Sequence, residues 1–266
     1  MKLLVMMKSL TGNSKRREQR LQSLMLDRLA FRHERRIARE IARVMREGAK
    51  AYSNGISPDF TGLDHPTRMK SIMRTLYRET VEAFSKYFLK SEKGRVRVLE
   101  LKDSGFSVDP TVITDEVMAN WVAQYGGDRI TQITNTTKRD INRIIQAGIK
   151  DGLSEREIGK MISAVAPVKS ASRAQTIART ETHSAANATG IETAQGVGLE
   201  MKKIWVAAGG GRTRDSHRRA DSDYKDGIGL DDYFIVGGER LRYPADPSGS
   251  AKEVINCRCA LVYEIL

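Results

Sequence analysis

The sequence predicts an α+β protein: a mainly helical N-terminal region followed by a small C-terminal unit of helix and antiparallel sheet. Two observations carry this. Up to about Gly198 the chain reads as helices, with apolar residues at steps of three and four and Gly or Pro gathered at the breaks. After Gly198 it turns to short alternating runs separated by Gly, Asp and Pro. At 266 residues, 40% apolar and 6% aromatic, the core is modest and built from Leu, Ile, Val, Ala and Met. The expected division is a basic helical region over 1–112 and a second domain over 113–266.

Residues 15–50 contain no Gly or Pro until Gly48 and read as one long helix. Leu26, Ala30, Ile37, Ile41 and Val44 form its apolar stripe. Gly55, Pro58, Gly62 and Pro66 make 52–66 a loop. A second helix is predicted over 67–89, with Met69, Ile72, Met73, Leu76 and Phe84 inward. The stretch 94–110 reads as an irregular connector.

Helices resume at 114–124 and 131–150. Ser154 and Glu157 form a capping-box pattern for a helix over 155–165, which Ala166-Pro167 should end. A further helix, rich in Ala and Thr, opens at Ser170 or Ser172 and runs to Gln195. Beyond it the pattern predicts a strand over 203–207, a Gly209-Gly210-Gly211 loop and a short helix over 213–220. A hairpin over 233–243 turns on Gly237-Gly238, and 259–265 forms a closing strand.

The net charge of +12 and pI near 9.8 point to a polyanionic partner, nucleic acid before an anionic membrane. No stretch reaches membrane-spanning length, so no membrane partner is expected. Two cysteines exclude a disulfide-stapled secreted scaffold, and the apolar run Leu3–Met7 is too short for a signal segment. Charge is concentrated: residues 15–50 hold twelve Lys/Arg against five Asp/Glu. Arg28, Arg32, Arg35, Arg39, Arg43 and Arg46 fall on one helix face and span about 27 Å. Such a ridge suits phosphates of DNA, without sequence reading because no recognition module is present. An acidic protein surface, or a solvated face partly neutralised by Glu34, Glu40 and Glu47, are the alternatives.

The last ninety residues hold four ordered clusters: Arg179-Thr180-Glu181; Arg212-Thr213-Arg214 with His217; Tyr243-Pro244-Ala245-Asp246-Pro247; and Asn256-Cys257-Arg258-Cys259. Trp205 precedes the second on an apolar run. This order resembles the phage Mu F-like minor head protein family, over roughly 125–263. Two departures stand out: Gly209-Gly210-Gly211 replaces an acidic residue before Arg-x-Arg, and Asp221-Ser222 replaces an Asp-Gly pair. The resemblance implies a minor capsid component of a tailed bacteriophage, active in head morphogenesis, with portal protein, capsid or scaffold components and packaged DNA as partners. It implies a place in the virion head, reached from the host cytoplasm during assembly, and a non-enzymatic role.

The clusters also permit other chemistry. Arg179, His183 and Asn187 share one helix side and form either a polar seam or a structural network. Arg212, Arg214 and His217, after the glycine loop at a helix start, suit an anion or simply hold the loop. The charges of Arg218 and Arg219 should push His217 toward neutrality. A metal-independent nuclease, with His217 and Glu181 as acid and base, is the enzymatic alternative. Cys257 and Cys259 read first as small buried apolar groups. A zinc site with His217, completed by His183 or Asp246, and redox chemistry are the other readings. No cofactor is expected.

Overall fold

The structure is a computed structural model, and it describes residues 12–56, 65–95, 127–196 and 200–266. Its α+β class matches the expectation. In chain order the elements are α1 (Gly12–Ser53), α2 (His65–Arg95), α3 (Gly127–Lys150), α4 (Glu155–Gly196), β1 (Met201–Val206), α5 (Asp215–Asp223), β2 (Ile228–Gly229), β3 (Phe234–Val236), β4 (Glu239–Leu241), α6 (Ala251–Val254) and β5 (Ala260–Ile265). The helix expected at 114–124 and the domain boundary at 112/113 lie outside the described residues.

Pro167 corrects the sequence reading. It lies inside α4, which is one 42-residue helix and not two. A proline in a helix interior costs about 3 kcal/mol through a lost N–H and a clash with the preceding turn. Here its ring is exposed, while Ile158, Ile162, Ala166, Ala174 and Ile177 continue one buried face across it. Burial of that stripe on both sides of the proline offsets the break. The start of α4 is as expected: Ser154 N and Oγ donate to Glu157 Oε2 at 2.8 and 2.6 Å, closing the capping box.

The chain forms two compact units. One comprises residues 30–56, 65–76 and 127–179 and has helices joined by turns, with no strand among its described residues. Ile37, Ile41, Met45, Met69, Met73, Ile141 and Ile162 fill its core. Gly159 allows α4 to approach α1 closely, since a Cβ there would lie 2.9 Å from Ala49 O and 1.8 Å from Ser53 Oγ. Arg173 ties α4 to α3, donating to Thr137 Oγ1 and Ile133 O, both at 3.1 Å, and pairing with Asp140 at 3.3 Å.

The other unit comprises 12–29, 77–95, 180–196 and 200–266. Its sheet has the order β2-β1-β5, antiparallel, with Lys203 opposite Tyr263 and Trp205 opposite Leu261. Strand β5 is an edge, and α1 covers it: Gln19 Nε2 and Ser23 Oγ donate to Arg258 O, and Gln22 Nε2 to Leu261 O. These side chains satisfy carbonyls that a bare edge would expose. Residues 181–190 of α4 are all buried. Small side chains make this feasible; a Cβ on Gly190 would meet the Tyr263 hydroxyl at 2.7 Å. β3 and β4 pair through Gly237 and Gly238, both at positive φ, as the hairpin signal predicts.

Candidate functional site

Two regions hold the candidate residues. The first is the outer face of α1. Arg28, Arg32, Arg35, Arg39 and Arg46 are exposed, and Arg43 is half-buried. Arg43 differs from the others because two carboxylates take it. Its Nη1 meets both oxygens of Glu47 at 2.8 Å, and its Nε and Nη2 meet Glu40 at 3.0 and 2.7 Å. The Glu40 hydrogen bond leads in raising its pKa. Burial pushes the Glu40 carboxyl up, but Arg43 and His65 outweigh it and hold it below the usual range. His65 Nδ1 lies 3.0 Å from Glu40, and burial keeps that imidazole below its ordinary value.

Beside this ion-pair group, α1 and α2 form an open groove of about 380 Å³ lined by Arg36, Arg39, Arg43, Arg46 and Arg68, with Glu40 and Ile72. Arg36 and Arg68 were outside the predicted ridge. Arg68 stands on α2, where helical periodicity along α1 gives no signal.

The second region gathers the C-terminal clusters around α4. Thr180, Ser184 and Asn187 recur along one face of that helix. Thr180 Oγ1 accepts from Asn256 N at 3.0 Å, and Ser184 Oγ donates to Ala245 O at 2.6 Å. Asn187 Nδ2 donates to Pro244 O at 3.1 Å and Cys259 O at 3.4 Å, while its Oδ1 accepts from Leu261 N at 3.1 Å. A polar seam is present, but of the expected Arg179, His183 and Asn187 only Asn187 belongs to it; with Thr180 and Ser184 it binds the backbone of the Tyr-Pro-Ala-Asp-Pro and Asn-Cys-Arg-Cys segments. His183 contributes its carbonyl to Asn187, and its Nε2 lies 3.9 Å from Asp27, which also meets Arg258 at 3.5 Å. Arg179 is half-buried at the other unit's end of α4.

Asp246 is buried and accepts from Arg242 N, Ser248 N and Ser248 Oγ at 2.7–2.9 Å, so it shapes its own loop, and Pro247 follows it half-buried. Asn256 and Ala245 both have positive φ, a conformation Asn tolerates better than most residues. Arg214 donates to Ile255 O, which supports the loop-holding reading, and Arg212 is exposed.

His217 sits at the centre of the unit. Trp205 packs edge-on against its ring at 5.4 Å, and Phe234 packs against Trp205 in turn. The carboxylate facing His217 is Glu253, with Oε2 3.1 Å from Nε2, while Arg218 turns outward to Asp215. The charged side chain facing the His217 ring is thus a carboxylate. Its Nδ1 faces Cys259 Sγ at 3.3 Å and Cys257 Sγ at 3.7 Å. The hydrogen bond between the two cysteines lowers the Cys257 thiol and raises that of Cys259, and His217 adds to the lowering. Glu181 accepts from Tyr77 Oη at 2.8 Å. The acid–base pair imagined for a nuclease is therefore not assembled by these contacts.

The chain is similar in sequence to several known proteins. The chain is 26% identical over 233 residues to the protein YqbB of Bacillus subtilis, covering 83% of this chain and 75% of that one. It is 29% identical over 160 residues to the NAD(+)–arginine ADP-ribosyltransferase EFV of Enterococcus faecalis, covering 58% of this chain and 32% of that protein. It is 36% identical over 100 residues to minor head protein GP7 of Bacillus phage SPP1, covering 36% and 31%. The chain thus spans about a third of the length of each of the last two. No solved structure matches it significantly. No helix among the described residues is long and apolar enough to cross a membrane. Residues 139–262, which include every C-terminal cluster, match the model of the phage Mu protein F like family.

Proposed function

We propose that the protein is a minor head component of a tailed bacteriophage, acting in head morphogenesis and joining portal, capsid interior and packaged DNA. The observation that carries this reading is the family match over 139–262, supported by the similarity to a minor head protein. In this reading α1 and the groove beside it contact DNA phosphates. Arginine suits that task because its planar fork can donate two parallel hydrogen bonds to phosphate. The exposed row on α1 offers several such forks at helical spacing, while Glu40 and Glu47 engage Arg43. The C-terminal unit serves as the docking module toward portal or capsid, held rigid by the α4 seam.

The role is structural and not catalytic. The activity named for the Enterococcus protein stays with that protein, since the match reaches 32% of its length. A nuclease at His217 and Glu181 has no geometric support, because each side chain is engaged with other partners.

The test is duplex-DNA binding followed by fluorescence anisotropy at increasing salt. Deleting α1 would remove core residues such as Ile37 and Ile41, so the variant carries Arg32, Arg35, Arg39 and Arg46 to Gln instead. The wild type should lose affinity steeply with salt, and the variant's slope in log K against log salt should be shallower by about 3–4. Equal slopes, or no binding by the wild type, would remove DNA from the proposed role.

A further inference from the structure

His217, Cys257 and Cys259 form the one group among the described residues whose donor atoms could share a single metal ion, all within 4.8 Å of one another. All three are buried, at 1–2% exposure. The imidazole is arranged as a ligand. Glu253 Oε2, itself accepting from Ser216 Oγ at 2.7 Å, lies 3.1 Å from Nε2. A carboxylate there keeps the proton on Nε2 and leaves a lone pair on Nδ1. That lone pair faces two sulfurs, although it can accept well from only one S–H.

An ion accounts for the convergence. A tetrahedral zinc with Zn–N about 2.0 Å and Zn–S about 2.3 Å sets nitrogen and sulfur ligands about 3.5 Å apart. The observed separations, 3.3 and 3.7 Å, bracket that value. The Ala208 backbone also hydrogen-bonds Cys259, as donors around thiolate ligands do. Asp246 is spent on its own loop, so it does not complete the set.

We propose that His217 Nδ1, Cys257 Sγ and Cys259 Sγ bind one zinc ion, which ties α5 to the segment entering β5. Two thiolates with an imidazole favour zinc over magnesium or calcium. On binding, both thiols release their protons to solvent, and the two thiolate charges balance the dication. A small exogenous ligand such as water fills the fourth position. Glu253 is a positioning residue that orients the imidazole. This inference does not depend on the head-protein reading.

The experiment titrates Co²⁺ into the full chain, purified under reducing conditions without chelator, while absorption is recorded. One equivalent should give a sulfur-to-cobalt charge-transfer band with the visible bands of a tetrahedral centre, and zinc should displace it. Elemental analysis should find one zinc per chain. Cys257→Ser and Cys259→Ser should abolish the charge-transfer signature or shift it toward a single thiolate. Glu253→Gln should keep the spectrum and weaken affinity about 10–100-fold. If the serine variants fail to fold, the wild-type titration decides alone. A folded wild type with substoichiometric zinc and no charge-transfer band would overturn the site.

Discussion

At the scale of the residue, buried polar groups set the C-terminal unit. Asn187 spends both ends of its amide on backbone from two different segments. Asn187→Ala leaves Leu261 N and Pro244 O without that partner, so stability should fall by about 2–3 kcal/mol in urea denaturation. A loss below about 0.5 kcal/mol, within the usual range for surface substitutions, would contradict the assignment. Lys203 is also buried, donating to Arg242 O at 3.0 Å and lying over the Phe234 ring. Burial, helped by the Arg242 charge, pushes its ammonium down from 10.5 to about 8. Below pH 8 both folded and unfolded chains hold this proton, and the folded state bears the full penalty. Between about 8 and 10.5 the folded state releases it first, so this contribution to stability rises with pH. The stability of wild type minus that of Lys203→Met should therefore increase from pH 8 to 10; a flat difference would refute the shift. Residue-scale legibility was uneven. The Arg, Asn and Cys clusters were visible as motifs. Glu253 was not, because it reaches His217 through tertiary folding and sits in a four-residue helix with no periodic signal. Arg43 belonged to the ridge by spacing, yet its position beside Glu40 and Glu47 removes it from the free row.

At the scale of the element, long helices were legible because their apolar stripes persist over many turns. Helix α1 was predicted within three residues at either end. The short pieces β2 and α6 were not, since two and four residues carry no pattern. Pro167 was misread because a local breaker was weighed without the buried stripe on both sides of it. Pro167→Ala should restore a helical N–H and raise the thermal midpoint, with a gain of up to about 3 kcal/mol. An unchanged or lowered midpoint would mean that the proline's bend is itself required. Gly159→Ala should act in the opposite direction, since the added methyl group meets Ala49 O at 2.9 Å and must displace the Ser53 side chain. The expected loss is about 1–3 kcal/mol, read from calorimetry.

At the scale of the whole molecule, the positive charge and the family segment occupy different parts of the chain. More than half of the surplus lies in 15–50, whereas the match covers 139–262. Composition alone made the excess of positive charge legible, and the ordered clusters made the family resemblance legible. The groove residue Arg68 was not, because only folding brings α2 beside α1. In the function proposed above, the first part would grip DNA and the second would hold the chain in the particle. The most direct measurement is quantitative mass spectrometry of purified virions and procapsids of the encoding phage. The account predicts the chain in both, at a few copies per particle and in fixed ratio to portal protein. Its absence from both, in lysates where the free protein is abundant, would contradict it.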